Sequence, residues 1–169
     1  MPLTAHLAEK KSAILGRWLT TIFESYPPET AIFLRKEKDR FDNPVGYRIA
    51  EGLEGLYHAL IQDFDRERVL HFLDEIIRIR ALQNFSPSQA LAFIFILKNV
   101  IREELADEIR KENLAGEVLE VESRIDGLAL LGFDVYIKRR EKVTELKVDE
   151  MKRSISGLMR KAGISGDSL

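Results

Sequence analysis

Apolar residues along the chain recur at steps of three and four, the spacing that puts side chains on one face of an α-helix. Five segments follow this pattern, and their predicted bounds are 3–26, 44–64, 66–84, 87–111 and 117–159. None of them shows the strict alternation that is typical of a half-buried strand. The pattern therefore predicts an all-α fold, a single bundle of about five principal helices with a long C-terminal helix.

Turn chemistry marks the boundaries between these segments. Asn43 can accept a hydrogen bond from a free N–H of the helix that begins at Pro44, and proline fits the first turn of a helix. Ser86 and Gln89 have the spacing of a capping box at the start of the fourth segment. The YPP sequence at 26–28 ends the first segment, and we expect the short TAIFL sequence after it to form one helical turn.

Three glycines interrupt the second segment, at Gly46, Gly52 and Gly55. Each weakens a helix by up to ~1 kcal/mol relative to alanine. Close packing of a neighbouring helix is the favoured explanation, and a ligand that approaches the backbone is the alternative.

The last two segments differ from ordinary surface helices. The fourth contains ALAFIFIL (90–97), the longest apolar run. It is too short to span a membrane, which takes about 20 residues, so we expect this helix to lie centrally, surrounded by other helices. The fifth is long for a globular protein, and its apolar phase breaks at KRREK (138–142). We expect one helix, straight or bent there, whose end projects or pairs with another chain.

Charge is unevenly distributed along the chain. The formal net charge is −2, yet residues 138–161 contain nine Lys or Arg and four Asp or Glu, a local net of +5. A solvated helix or a site for an acidic partner explains this stretch better than nucleic acid, because aromatic residues are not interleaved with the basic ones. A membrane surface is less favoured as well, since large apolar anchors are few.

Residue types that carry catalysis or bind metals are sparse. The chain has no cysteine, which removes disulfides and thiolate sites and fits a cytoplasmic location. The HFLDE sequence at 71–75 could supply metal ligands, but surface helix charges explain it better. Neither His58 nor His71 stands in a recognisable haem-ligand context. No Walker loop, GxSxG or HExxH motif is present. We therefore expect no enzymatic activity, metal or cofactor.

Two long stretches, DRFDNPVGYRIAEGLEGLY and LDEIIRIRALQNFSPSQALAFIFILKNVIREEL, resemble the N-terminal domain of the RsbRD family of RsbT co-antagonist proteins. ILGRWLTTIFESYP, near the start, is similar to the opening of that domain. The resemblance covers roughly residues 7–140. The matching residues are Trp18, Tyr26, Arg40, Phe41, Asn43, Pro44, Val45, Gly46, Ile79, Arg80, Ala81, Gln83, Phe85, Pro87, Gln89, Ala90, Phe93 and Lys98.

The resemblance implies a homodimeric signal-input domain of bacterial stress-response regulators, globin-like but without haem. Residues 1–140 would form the helical sensor domain, and residues 141–169 a charged helical extension with a flexible tail. Nothing after residue 140 resembles the STAS output domain that related proteins carry. The expected partner is therefore an unidentified signalling or redox protein. The alternative is an accessory or scaffold subunit that docks onto a larger redox or signalling complex.

Four polar residues inside apolar helices are the candidate ligand-binding residues: Arg80, Gln83, Gln89 and Lys98. Each also has a structural interpretation, which the sequence leaves open. Gln89 would complete the helix cap, Arg80 would pair with an acidic residue, and Lys98 would extend its ammonium group to the surface.

Overall fold

The computed structural model describes residues 1–83 and 85–164 of the chain. Over these residues the chain forms eight α-helices and no strand, which confirms the all-α prediction. Their bounds are α1 Leu3–Glu9, α2 Lys11–Phe23, α3 Pro28–Lys36, α4 Pro44–Ile61, α5 Arg66–Leu82, α6 Pro87–Glu104, α7 Ala106–Lys111 and α8 Ala115–Lys161. None of these helices, within the described residues, combines the length and apolarity needed to cross a bilayer.

The five longest helices, α2, α4, α5, α6 and α8, correspond to the five predicted segments. Two of those segments are broken by tertiary contacts. Lys10 interrupts the first segment, and its ammonium group donates to the carbonyl oxygen of Glu104 at 2.7 Å. Leu105 interrupts the fourth and is itself fully buried. The third segment ends at Leu82, and the predicted end at Asn84 lies outside the described residues.

Asn43 fixes the start of α4 through three hydrogen bonds. Its Oδ1 accepts from the backbone N–H of Gly46 at 2.9 Å, as the cap prediction requires. Its Nδ2 donates to the carbonyl oxygens of Leu34 and Glu37, at 3.2 and 2.9 Å. The side chain is nearly fully buried. The DNP sequence therefore joins the end of α3 to the start of α4.

The glycines of α4 allow a close approach to α5. A Cβ atom at Gly52 would lie 2.8 Å from Cγ1 of Ile76, and one at Gly55 would lie 2.3 Å from Cε2 of Phe72. These distances are shorter than contacts between real atoms allow. The interpretation as close helix packing is confirmed for Gly52 and Gly55, whereas a Cβ at Gly46 would meet the side chain of the cap residue Asn43.

α6 packs against α2, α5 and α8, and Trp18 of α2 donates its indole N–H to the carbonyl oxygen of Phe93 at 2.6 Å. The prediction that α6 is surrounded on all sides is nevertheless wrong. Ala92, Phe95 and Asn99 share an exposed face of this helix. Among the described residues, no other helix covers that face.

α8 is 47 residues long and is continuous through residues 138–142. Its last buried residue is Tyr136, and from Glu141 onward its residues are exposed or half-buried. At 1.5 Å per residue, the part from Glu141 to Lys161 extends about 30 Å beyond the body of the bundle. Of the predicted flexible tail, residues 165–169 lie outside the described residues.

Candidate functional site

Arg80 lies in the last turn of α5 and is only 2% exposed. Its Nη2 donates to the carbonyl oxygen of Gln89 at 3.0 Å and to the hydroxyl of Ser25 at 3.3 Å. Ser25 can accept this bond because its own O–H donates to the carbonyl oxygen of Ile22 at 2.6 Å. One buried guanidinium therefore joins the end of α2, the end of α5 and the start of α6.

The predicted pairing of Arg80 with an acidic residue is wrong. Among the described residues no carboxylate forms a salt bridge with it, and its Nε and Nη1 have no hydrogen-bond partner. The guanidinium carbon instead lies 4.3 Å from the ring centroid of Phe85 and 5.6 Å from that of Tyr26. Loss of hydration on burial lowers the pKa of Arg80 from its ordinary value, but a guanidinium stays charged in proteins.

Tyr26 completes the surroundings of this cation. Its hydroxyl donates to Oε1 of Gln83 at 2.8 Å, and its ring meets that of Phe85 edge-on at 5.6 Å. Burial raises the pKa of the Tyr26 phenol, although the charge of Arg80 opposes the shift. The phenol is therefore neutral near pH 7 and does not serve as a counter-ion. We name Ser25, Tyr26, Arg80, Gln83, Phe85 and Gln89 the arginine site.

The arginine site is bonded to α8 where that helix leaves the bundle. The hydroxyl of Tyr136 donates to the carbonyl oxygen of Phe85 at 2.9 Å. One turn later, Nη1 of Arg140 donates to the carbonyl oxygen of Ala81 at 3.4 Å. Arg139 is held by a two-bond ion pair with Asp74 of α5. The final packed turn of α8 thus contacts both ends of the α5–α6 connection.

An exposed apolar strip runs along α8 in two parts. The first part, which we name the apolar face, borders a cleft of about 550 Å³ between α6 and α8. Its largest exposed side chains are Leu130 and Phe133 of α8, and Phe95 of α6 lines the same cleft as Phe133. The second part, which we name the distal seam, lies beyond the bundle. It consists of Val148, Met151, Ile155 and Leu158.

A family model described as "RsbT co-antagonist protein rsbRD N-terminal domain" matches residues 12–151. The chain belongs to this family. The match spans the whole arginine site and continues into α8 as far as Met151, and it confirms the resemblance inferred from the sequence. The RsbRD N-terminal domain family is a family of regulatory domains in stress signalling. No curated protein and no solved structure matches the chain significantly.

In this RsbRD N-terminal domain, three of the four candidate ligand-binding residues predicted from the sequence lie close together. Arg80 lies in the last turn of α5, Gln83 directly follows that helix, and the backbone carbonyl of Gln89 in α6 accepts from Arg80. The cap role of Gln89 is confirmed, because its side chain accepts from the backbone N–H of Ser86 at 3.0 Å. Lys98 lies elsewhere on α6, where its ammonium reaches Asp126 of α8 at 2.6 Å.

Sequence reasoning missed the residues that make Arg80 unusual. Ser25, Tyr26 and Phe85 stand in or beside turns, and their sequence context gave no sign that they enclose a cation. No role was assigned to Tyr136 from the sequence. The available signals were an aromatic residue at each of two chain turns, YPP and NFSP, and the presence of Tyr26 and Phe85 among the residues that match the family.

His71, which the sequence suggested as a weak metal ligand, lines a separate cleft of about 530 Å³ beside α4 and α5. The two carboxylates that follow it are bound to arginines: Asp74 to Arg139, and Glu75 to Arg48 at 3.3 Å. The part of the chain that the structure describes contains no group of three residues able to hold a metal ion. We therefore assign no chemistry to this cleft.

Proposed function

We propose that the chain is a non-enzymatic sensory or regulatory input domain of a bacterial stress or redox signalling system. In this proposal, residues 1–140 form the sensor and residues 141–169 the extension that carries its state to an output protein in the cytoplasm. The observation that carries the proposal is the position of the arginine site, directly at the exit of α8 from the bundle. Membership of a regulatory domain family supports it.

The relay would use the contacts of α8 with the α5–α6 connection. A ligand or partner shifts a conformational equilibrium only if it binds the two states with different affinity. A rearrangement around Arg80 changes the position of Phe85, and Phe85 is bonded to Tyr136. Because α8 continues without interruption beyond Tyr136, a rotation or shift of this turn moves the distal seam with it.

The proposed homodimer forms through α8, and the distal seam has the residue pattern for it. Val148 and Ile155 are seven residues apart, and Met151 and Leu158 lie at the complementary positions of the same heptads. β-branched residues at the first position with Leu at the second favour parallel two-stranded coiled coils. All four side chains are at least 42% exposed in the isolated chain, so they need a covering partner.

Flanking charges favour the parallel over the antiparallel arrangement. Arg140, Lys147 and Lys161 share one flank of the seam, and an antiparallel pair would place these flanks against each other. In a parallel pair, Arg140 of one copy meets Glu145 of the other, an attractive contact. Lys147 of one copy would meet Lys152 of the other, and this repulsive contact offsets part of the attraction between Arg140 and Glu145.

Light scattering on the full chain tests the dimer. Ile155→Asp should convert the dimer to a monomer at tens of micromolar, because it places a carboxylate in the centre of the seam. Leu146→Asp is the matched control, since Leu146 is also about half exposed but lies on the opposite side of the helix. A wild-type chain that is monomeric at high micromolar concentration would contradict the dimer. A dimer that survives Ile155→Asp would exclude the distal seam as its interface.

Spin labelling tests the relay. The chain has no cysteine, so Ser154→Cys gives a single label on α8. The distance between the two labels of a dimer should differ between this protein and the same protein carrying Tyr136→Phe, which removes the bond to Phe85. Identical distance distributions would refute the relay through Tyr136.

A second candidate function is favoured by the net charge of +5 over residues 138–161. In this alternative the chain is an accessory subunit that docks onto a larger redox or signalling complex through an acidic surface of that complex. Reversing the charge of Arg153 and Arg160 together should abolish such docking. It should leave the homodimer intact, since both residues lie away from the seam.

A further inference from the structure

The guanidinium of Arg80 is a buried positive charge whose neutralising partner is missing from the described part of the chain. Arginine has five N–H donors, one on Nε and two on each terminal nitrogen. Nε and Nη1 are without acceptors, so three of the five are unused. Natural proteins rarely leave buried donors unpaired, and each such group calls for a specific explanation.

The neighbouring groups reduce this deficit but do not remove it. The carbonyl of Gln89 and the hydroxyl of Ser25 accept two bonds without contributing a negative charge. The rings of Phe85 and Tyr26 offer their negative faces, a weaker attraction than an ion pair. The Tyr26 phenol is neutral. A bound water could accept hydrogen bonds, but it would leave the charge uncompensated.

We propose that the arginine site binds one small monovalent anion, of the size of a halide, nitrate or formate. Its charge would offset the loss of hydration that makes an unpaired buried ion costly. We restrict the proposal to small ions because Arg80 is only 2% exposed and two aromatic rings lie against its guanidinium. A bidentate ligand is disfavoured, because both N–H groups of Nη2 are already used. The anion would be the input of the sensor, so its regulatory meaning rests on the function proposed above.

Thermal unfolding of the full chain at constant ionic strength tests this proposal. Sodium chloride, nitrate or formate replaces sodium isethionate, whose anion is too large for the site. A ligand that binds only the folded state raises the melting temperature, by about 5–10 °C at a hundredfold excess over Kd for a chain of this size. We expect this rise for at least one of the three small anions. Equal melting temperatures in all four salts would overturn the proposal.

Two variants separate binding at Arg80 from general salt effects. Arg80→Met should fold and lose the anion-dependent rise, because methionine fills similar space without charge. Arg78→Met is the matched control on the same helix, since Arg78 pairs with Glu75 at the surface, and it should keep the rise. An equal rise in Arg80→Met and in the wild type would overturn the proposal.

The Nε–H resonance of Arg80 in the wild-type protein gives an independent result if Arg80→Met does not fold. It should shift and saturate with the same anion that raises the melting temperature, and an unchanged resonance would overturn the proposal. The function proposed above is tested by different measurements, so its failure can be told apart from failure of the anion site. It depends on the dimer and on the label distances, which are measured in isethionate.

Discussion

Asn43→Asp distinguishes two roles that the structure gives to one side chain. Asp and Asn are about equally good N-caps, because both offer a side-chain oxygen to the first turn of a helix. If Asn43 only capped α4, the change would be nearly neutral. The structure adds two hydrogen bonds from Nδ2, to the carbonyl oxygens of Leu34 and Glu37. A carboxylate cannot donate either of them.

The expected loss follows from those two bonds. Each buried hydrogen bond contributes about 1 kcal/mol, and each acceptor left unpaired adds a desolvation cost. The new carboxylate would also face two carbonyl oxygens at 3.2 and 2.9 Å, an unfavourable arrangement of negative charge. We therefore expect Asn43→Asp to lower the free energy of unfolding by about 3 kcal/mol, or the melting temperature by about 6–12 °C.

Urea unfolding followed by circular dichroism measures this loss, with Ser86→Asp as the control. Ser86 caps α6 in the same way but lies at the surface, and its hydroxyl makes no bond to a distant backbone carbonyl. That variant should stay within about 0.5 kcal/mol of the wild type. If Asn43→Asp is equally mild, Asn43 acts only as a cap and its contacts with α3 do not stabilise the fold.

Two further predictions concern the packing of α4 and the pH dependence of the N-terminus. Gly52→Ala should lower the free energy of unfolding by about 1–2 kcal/mol in urea, because the new Cβ would collide with Ile76. Gly127→Ala is the control: its Cβ would meet no atom within 4 Å, and the change should raise the free energy of unfolding by up to ~1 kcal/mol. The carboxylate of Glu112 has a pKa below its ordinary 4.5, chiefly because it bonds the terminal ammonium of Met1. The stabilisation from this pair is therefore present above pH 4.5 and is lost as the pH falls through the lowered pKa. The protection factors of α1 amides, which correct for the slower intrinsic exchange at low pH, should fall selectively in that range, and a uniform fall over the whole chain would contradict this assignment.

Local chemistry made the starts of α4, α5 and α6 predictable. The caps at Asn43 and Ser86 and the cap by Asp65 at the start of α5 all have the hydrogen bonds that their residue types suggest. The breaks at Lys10 and Leu105 could not be predicted, since the apolar spacing continues through both. They depend on a contact between distant residues and on the burial of Leu105.

From the sequence, the arginine site could be recognised only through polar residues that stand inside apolar helices. A polar residue on an apolar helix face drew attention to Arg80, but the expected acidic partner was inferred from typical pairings rather than from geometry. The exposed face of α6 escaped prediction for a related reason. A helix that is apolar all round can be enclosed by its own chain or left open for another surface, and periodicity is the same in both cases.

The stretch of α8 from Phe133 to Ser156 contains neither glycine nor proline. No flexible point therefore separates the bundle from the extension, and the extension moves with the bundle as one rigid helix. An output protein attached to the extension would respond to the angle and the rotation of this helix. Each added residue in this stretch would turn the far end by about 100°, so in the proposed relay the length of the extension would set the orientation of a bound output protein.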